Sequence, residues 1–160
     1  MIGWSRLMTI SSSWTRCSMT WCGSSPSSAT NSRTNVLASR SNSPYAVLNH
    51  CLGVMEYWGG YMVAGRSIQR DRPAEFLASG PVGELIERTH RARRQLQSDL
   101  ANLEPYAPPR GHPKHQEDAG LPMHKTQGGA LIHAYEDLAR HRGQMEITRD
   151  IIRGSVRTSG

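Results

Sequence analysis

The chain has 160 residues, which is the length of one domain and enough to bury a hydrophobic core without disulfide bonds. Its net charge of +6 suggests a nucleic-acid-binding protein, but Arg6, Arg16, Arg33 and Arg40 lie in a stretch of 40 residues without any acidic residue. The remaining 120 residues carry only +2, and we therefore expect no nucleic-acid partner.

The cysteines and the distribution of apolar residues indicate the cellular setting. Cys17, Cys22 and Cys51 are odd in number and lack the spacing of a zinc ribbon, which favours a reducing cytoplasm. No run of about 20 apolar residues is present, so we expect no membrane span. We therefore predict a cytoplasmic protein.

The first 41 residues differ from the rest of the chain. The first 40 contain 11 serines, three of the four tryptophans and two of the three cysteines, and show no helical stripe of apolar residues. Disorder explains serine and threonine but not tryptophan and cysteine. A reading-frame error explains both, because serine codons of the TCN type become Val, Leu, Ile or Phe codons when read two nucleotides later. When compatible codons for residues 14–36 are translated in this shifted frame, they give the amphipathic sequence DALLHDMVRVVAVVGNELANER. We predict that residues 1–41 are disordered or frame-shifted.

Two helices are predicted between residues 44 and 105. The first runs over residues 44–58, with Asn42 or Ser43 as its cap and Pro44 in its first turn, and frays or kinks at Gly59 and Gly60. The second begins after a polar connection, with Ser79 as its cap. Pro105 closes it. The tight basic cluster on the second helix is explained by a solvated helix face; it consists of Arg91, Arg93 and Arg94.

A long loop and a last helix follow. Residues 105–127 contain five prolines and no periodicity, which predicts an ordered or semi-ordered loop. Its histidines could form a second metal site or simply be solvated; they are His112, His115 and His124. The last helix is predicted over residues 128–153, with Gly154 as its stop.

The predicted fold class is all-α. Strand-like alternation of useful length is absent, and three long amphipathic helices are visible. Their apolar stripes need a further partner, which should precede residue 42 but is not recognisable there. We therefore predict a helical bundle over residues 42–154 whose first helix is missing or corrupted, followed by a tail over residues 155–160.

The last helix places two polar residues on its apolar side. At 3.6 residues per turn, His141 lies within about 20° of Ala134, and Asp137 lies one turn before it on the same side. Burying an unpaired carboxylate costs several kcal/mol, so Asp137 must be neutralised, paired or given a cation. Spacing of i and i+4 aims both side chains at one point, as ligands of a divalent metal require. An Asp–His hydrogen bond without a metal also satisfies the pattern.

The motifs NSPYAVLNHCLGVMEYW and, about 80 residues later, HAYEDLARHRGQ resemble the DinB-like superfamily over residues 42–153. These proteins are four-helix bundles that include mycothiol-dependent maleylpyruvate isomerases and related thiol-dependent transferases. The resemblance implies a divalent metal, often zinc or nickel, held by His50, Asp137 and His141. Asp137 stands where the isomerase-like branch has Glu, so the helix must approach the metal by about 1 Å more, or a water must bridge. A low-molecular-weight thiol is the implied cofactor.

Neighbouring residues admit more than one role. We interpret His133 as an outer partner of the site or an exposed residue, and Cys51 as a core residue rather than a nucleophile. Gly143 leaves room for a helix to pack beside the metal, or serves ordinary helix packing.

Two function classes remain open. The first is a metal-dependent thiol transferase or isomerase acting on a small electrophile. The second is a non-catalytic metal-binding bundle, with a homodimer as a possible assembly. An enzyme requires an open coordination position that solvent can reach.

Overall fold

A computed structural model describes residues 42–113 and 120–157 of the chain, with side chains to residue 154. The predicted disorder or frame shift of residues 1–41 and the position of His115 lie outside the described residues. The described part is helical without strands, which confirms the all-α class. Its elements are α1 (Pro44–Val54) with a π-helical continuation (Met55–Val63), α2 (Arg72–Glu75), α3 (Val82–Asp99), a 3₁₀ turn (Pro122–His124) and α4 (Gln127–Arg157).

Helix α1 begins as predicted, and its π-helical continuation extends beyond the predicted end at residue 58. The Ser43 hydroxyl accepts a hydrogen bond from the Ala46 amide at 3.1 Å, which caps the helix. The fraying predicted as one possibility at Gly59 and Gly60 is wrong, because both glycines are buried inside the π-helical continuation. A Cβ on Gly59 would overlap the Leu96 side chain, so the missing side chain serves the close approach of α3. The helix stops at Gly65, whose φ of 74° reverses the chain.

Helix α3 differs from its prediction at the N-terminus. It follows Pro81 without a side-chain cap, and the predicted cap by Ser79 is therefore wrong. At its other end Asp99 is buried and binds the Arg66 guanidinium through both oxygens, at 2.8 and 2.9 Å. This bidentate pair ties the end of α3 to the chain that leaves the π-helical segment.

Helix α4 is longer than predicted at its C-terminal end. It continues through Gly154 to Arg157, so the predicted stop at Gly154 is wrong. A glycine ends a helix when its backbone enters the left-handed region, and among the described residues only Gly65 and Gly80 have positive φ. At the N-terminal end the buried Gln127 side chain accepts from the Glu104 amide at 3.1 Å and donates to the Pro108 carbonyl at 3.2 Å. These bonds anchor the start of the long loop.

The core lies on both sides of α1. Helix α4 packs against α1 and the π-helical segment, and α3 packs against the same two elements. One buried cluster joins the π-helical segment to α4 through Trp58, Met62 and Ala130, and a second joins α1 to α3 through Leu52 and Leu85. Helix α1 is therefore central and holds the side chains that both neighbours cover.

The outer side of α4 exposes several large apolar side chains. They are Ile132, Tyr135, Ile147, Ile151 and Ile152, between 41% and 64% exposed. Residues 132, 135, 139, 143, 147 and 151 follow helical spacing, and we call them the outer stripe of α4. The described residues contain no fourth long helix that covers the outer stripe.

None of the helices in the described ranges is long and apolar enough to span a membrane.

Candidate metal centre

His50 lies at the centre of the site. It belongs to the buried face of α1 and is only 1% exposed, as a helix packed on both sides requires. The Phe76 ring stacks on the imidazole with a centroid separation of 4.4 Å, which restricts the ring plane. Nε2 is buried and has no hydrogen-bond partner among the described residues. A buried polar atom of this kind costs free energy unless a ligand satisfies it.

Helix α4 brings two further polar side chains to this nitrogen. Asp137 Oδ2 lies 3.6 Å from His50 Nε2, and Asp137 Oδ1 lies 3.6 Å from His141 Nε2. The two imidazole rings meet edge to face with centroids 4.8 Å apart. The structure thus brings together all three residues that the resemblance implied, and their ligand atoms all lie within 4.8 Å of one another.

Each imidazole has a separate partner on its far side. His50 Nδ1 lies 2.7 Å from Glu75 Oε2, and His141 Nδ1 lies 3.0 Å from Gln144 Oε1. An Nδ1–H that donates to such an oxygen leaves the lone pair on Nε2. Both Nε2 atoms lie beside Asp137, which is the orientation that two histidine ligands of one metal need.

Burial and the neighbouring charges shift the pKa of His50 in opposite directions. Burial lowers the pKa of His50, but the carboxylates of Asp137 and Glu75 outweigh it and hold that pKa above its ordinary value. The His50 imidazole, followed by the nearby His141 and Arg140, holds the pKa of Asp137 below its usual range despite partial burial. Burial raises the pKa of Glu75, and hydrogen bonds from His50 and Arg70 more than reverse this. Both carboxylates therefore present negative charge to the site.

The three side chains fit a divalent cation. Donor atoms that bind one such ion at about 2.1 Å lie roughly 3.0 to 3.4 Å from each other. The two distances of 3.6 Å from Asp137 are close to this range. Asp137 therefore lies next to both histidines, through a different oxygen for each. Two imidazoles and one carboxylate form a donor set typical of zinc and of other divalent transition metals.

Solvent reaches the site from the side of α4. The side chains of Asp137 and His141 are 16% and 14% exposed, whereas His50 is enclosed. Three protein ligands leave coordination positions that water or a substrate can occupy.

Among the described residues, His112, His124, His133 and Cys51 do not belong to this cluster. His124 and His133 pack against the Trp58 ring, with centroid separations of 5.2 and 4.6 Å, and the His112 backbone bonds to a tyrosine. Within the described ranges, His50, Asp137 and His141 form the only group of three metal-ligating side chains. Cys51 is 1% exposed, and burial raises the pKa of its thiol. Its interpretation as a core residue is confirmed.

Sequence reasoning did not find Glu75 and its partner Arg70. Arg70 binds the Glu75 carboxylate through two nitrogens, at 2.7 and 3.0 Å. The short helix α2 that carries Glu75 has a recognisable start in the sequence. Asp71 caps it, and Pro73 lies in its first turn. Nothing in that pattern indicates that α2 folds back onto a histidine 25 residues earlier.

Comparison with protein-family models gives one match, to the model described as Mycothiol-S-transferase, over residues 27–154. The match spans most of the chain. The chain belongs to the mycothiol-S-transferase family. This is a DinB-like family, and the predicted resemblance to the DinB-like superfamily and its helical bundle is thereby confirmed. No curated protein and no solved structure gives a significant match.

Proposed function

We propose that this mycothiol-S-transferase family member is a metal-dependent enzyme that joins a low-molecular-weight thiol of the mycothiol type to a small electrophile. The observation that carries the proposal is the buried, unpartnered Nε2 of His50 facing Asp137 and His141. The family match supports the thiol, and the cluster supports a divalent metal such as zinc or nickel.

The chemistry needs a thiolate near neutral pH. A divalent cation bound at the cluster would lower the pKa of a thiol in its open coordination position. Asp137 would contribute the charge that offsets the cation, and the two imidazoles would bind the cation as neutral donors. In the transfer, the thiolate sulfur forms a bond to the electrophilic carbon, the thiol proton passes to solvent and the leaving group departs with its bonding electrons. An isomerisation would use the same thiolate, which would add to a double bond and later leave.

The described residues provide no cysteine nucleophile at the site. Cys51 lies next to His50 in sequence but is enclosed in the core, and burial raises the pKa of its thiol. Among the described residues Cys51 is the only cysteine. A thiol that enters from solvent therefore suits this site better than a covalent enzyme intermediate.

A transfer assay tests the proposal. Metal-free and zinc- or nickel-loaded protein are compared with mycothiol and 1-chloro-2,4-dinitrobenzene as probe substrates, and both the thioether and the released chloride are measured. We expect loaded protein to exceed the metal-free rate, and His141→Ala to abolish the gain because it removes a ligand. Parallel assays with glutathione and cysteine establish which thiol is used.

The opposite result favours the second function class. If a panel of thiols and electrophiles gives no rate above metal-free protein while the metal stays bound at full occupancy, the catalytic proposal fails. The protein is then better described as a bundle whose core a metal stabilises.

A further inference from the structure

The Glu75 carboxylate is buried next to the metal cluster without belonging to it. Glu75 is 9% exposed, and its Oε2 contacts Nδ1 of His50, on the ring side away from Asp137. Both of its oxygens also bind the Arg70 guanidinium, through Nε and Nη2. Because both oxygens of Glu75 are bound on this side, Glu75 can influence the metal cluster only through His50.

Gly53 provides the space that this carboxylate occupies. It lies about one turn after His50 in α1 and is buried. A Cβ on Gly53 would overlap Oε1 of Glu75, the oxygen that also binds Arg70. Glycine in a helix interior costs about 1 kcal/mol relative to alanine. The close contact of the Glu75 carboxylate with the α1 backbone explains why α1 has a glycine at this position.

Arg70 is itself held in place. Its guanidinium carbon lies 5.4 Å from the centre of the Tyr57 ring, in the position of a cation–π contact. Since Tyr57 belongs to the π-helical continuation of α1, the same helix supports both His50 and the arginine that orients Glu75. Arg70 lies in the connection before α2, and Glu75 is the last residue of α2.

We propose that Gly53, Arg70 and Glu75 form a positioning unit that fixes His50 as a metal ligand. Glu75 accepts the hydrogen bond from Nδ1–H and thereby leaves the Nε2 lone pair directed toward Asp137 and His141. Carboxylate partners of this kind raise the basicity of a histidine ligand and fix its ring orientation. The proposal deepens the proposed function, because it rests on the same metal site.

Binding of Co²⁺ alone, followed through its visible absorption spectrum, tests Glu75. We expect Glu75→Gln to weaken Co²⁺ binding by about 10- to 100-fold and to change the spectrum, while the stoichiometry stays at one ion. Glu56→Gln is the matched control, since Glu56 is exposed on the same continuous helix and should bind Co²⁺ like the wild type. Equal affinity and an unchanged spectrum in Glu75→Gln would overturn the proposal.

A nitrogen NMR measurement on metal-free protein separates positioning from general stabilisation. At a pH well above the His50 pKa, we expect the Nδ1-protonated tautomer of His50 in the wild type and a mixture of the two neutral tautomers in Glu75→Gln. Unchanged tautomer populations would contradict the role of Glu75 even if the variant were less stable. This readout does not involve metal or thiol transfer.

A double-variant comparison tests Gly53. Gly53→Ala should weaken Co²⁺ binding, because its methyl group displaces the Glu75 carboxylate. In a Glu75→Ala background the space is free, so adding Gly53→Ala should cause no further loss. Gly83→Ala, at a helical position with nothing within 4 Å, is the control for the substitution itself. An equal loss in both backgrounds would show that Gly53 acts on the helix and would overturn its place in the unit.

The outcomes distinguish this proposal from the proposed function. If the wild type binds Co²⁺ and the variants weaken it while no thiol is transferred, the positioning unit is supported and the enzyme is not. If the wild type binds no divalent metal, both fail.

Discussion

Asp137 carries the charge of the metal centre. It is the carboxylate that faces both imidazoles, through different oxygens. Asp137→Asn keeps the size of the side chain and removes the charge, so it should weaken metal binding and lower transfer activity together. Asp137→Glu should retain both, because it restores the side chain of the isomerase-like branch. Isothermal titration with zinc and the transfer rate measure the two effects. An Asn variant with wild-type affinity would show that Asp137 is not a ligand.

Cys51 should be chemically inert in the folded protein. Its thiol is enclosed in the core of α1, and burial raises its pKa, so the reactive thiolate is not available. Iodoacetamide should modify Cys51 only after denaturation, as peptide mass mapping can show. Rapid modification under native conditions would mean that this part of α1 opens.

Two glycines in helices should respond oppositely to substitution by alanine. A Cβ on Gly143 has nothing within 4 Å among the described residues, so Gly143→Ala should raise the free energy of unfolding by about 0.5–1 kcal/mol. A Cβ on Gly59 would overlap Leu96, so Gly59→Ala should lower it by about 1–3 kcal/mol. Chemical denaturation measures both. Destabilisation by Gly143→Ala would instead show that another helix packs against it.

Local sequence patterns predicted the helices better than their ends. Ser43 and Pro44 predicted the start of α1 because capping is local chemistry. Gly59 suggests fraying when the sequence is considered alone, but its role depends on Leu96, a residue distant in sequence. The same limit applies to the site. The i, i+4 pair Asp137 and His141 was recognisable on one helix face.

The partners of His50 show where sequence reasoning stops. The motif resemblance assigned His50 to the cluster, but its contact with Glu75 depends on how the short helix α2 folds across α1. The periodicity of apolar residues predicts which face of a helix is buried. It does not predict which residue, distant in sequence, packs against that face.

At the scale of the whole fold, the described residues expose an apolar surface of the kind that a bundle normally covers. The outer stripe of α4 includes Ile132 and Ile147, which are 63% and 64% exposed. We predict that sequencing the encoding DNA reveals a discrepancy of one or two nucleotides between the codons for about Asn35 and Ser43. The corrected chain would contain an amphipathic first helix, which we expect to cover this stripe. Reduced binding of a hydrophobic dye by the corrected protein measures the effect, and a confirmed reading frame would refute the prediction.

Metal binding should stabilise the entire fold, because the ligands join α1 to α4. At a free metal concentration 100 times the dissociation constant, the gain in the free energy of unfolding should be about 2.7 kcal/mol. Thermal denaturation with and without zinc or nickel measures it, and a chelator should reverse the gain. A melting temperature independent of added metal would indicate that the native state has no such site.

The most direct measurement is the metal content of protein purified without a chelator, determined by elemental analysis for the wild type and for His141→Ala. We expect about one divalent ion per chain in the wild type and its loss in the variant. A folded wild-type protein that contains no divalent metal and takes up none from zinc or nickel solutions would contradict the account.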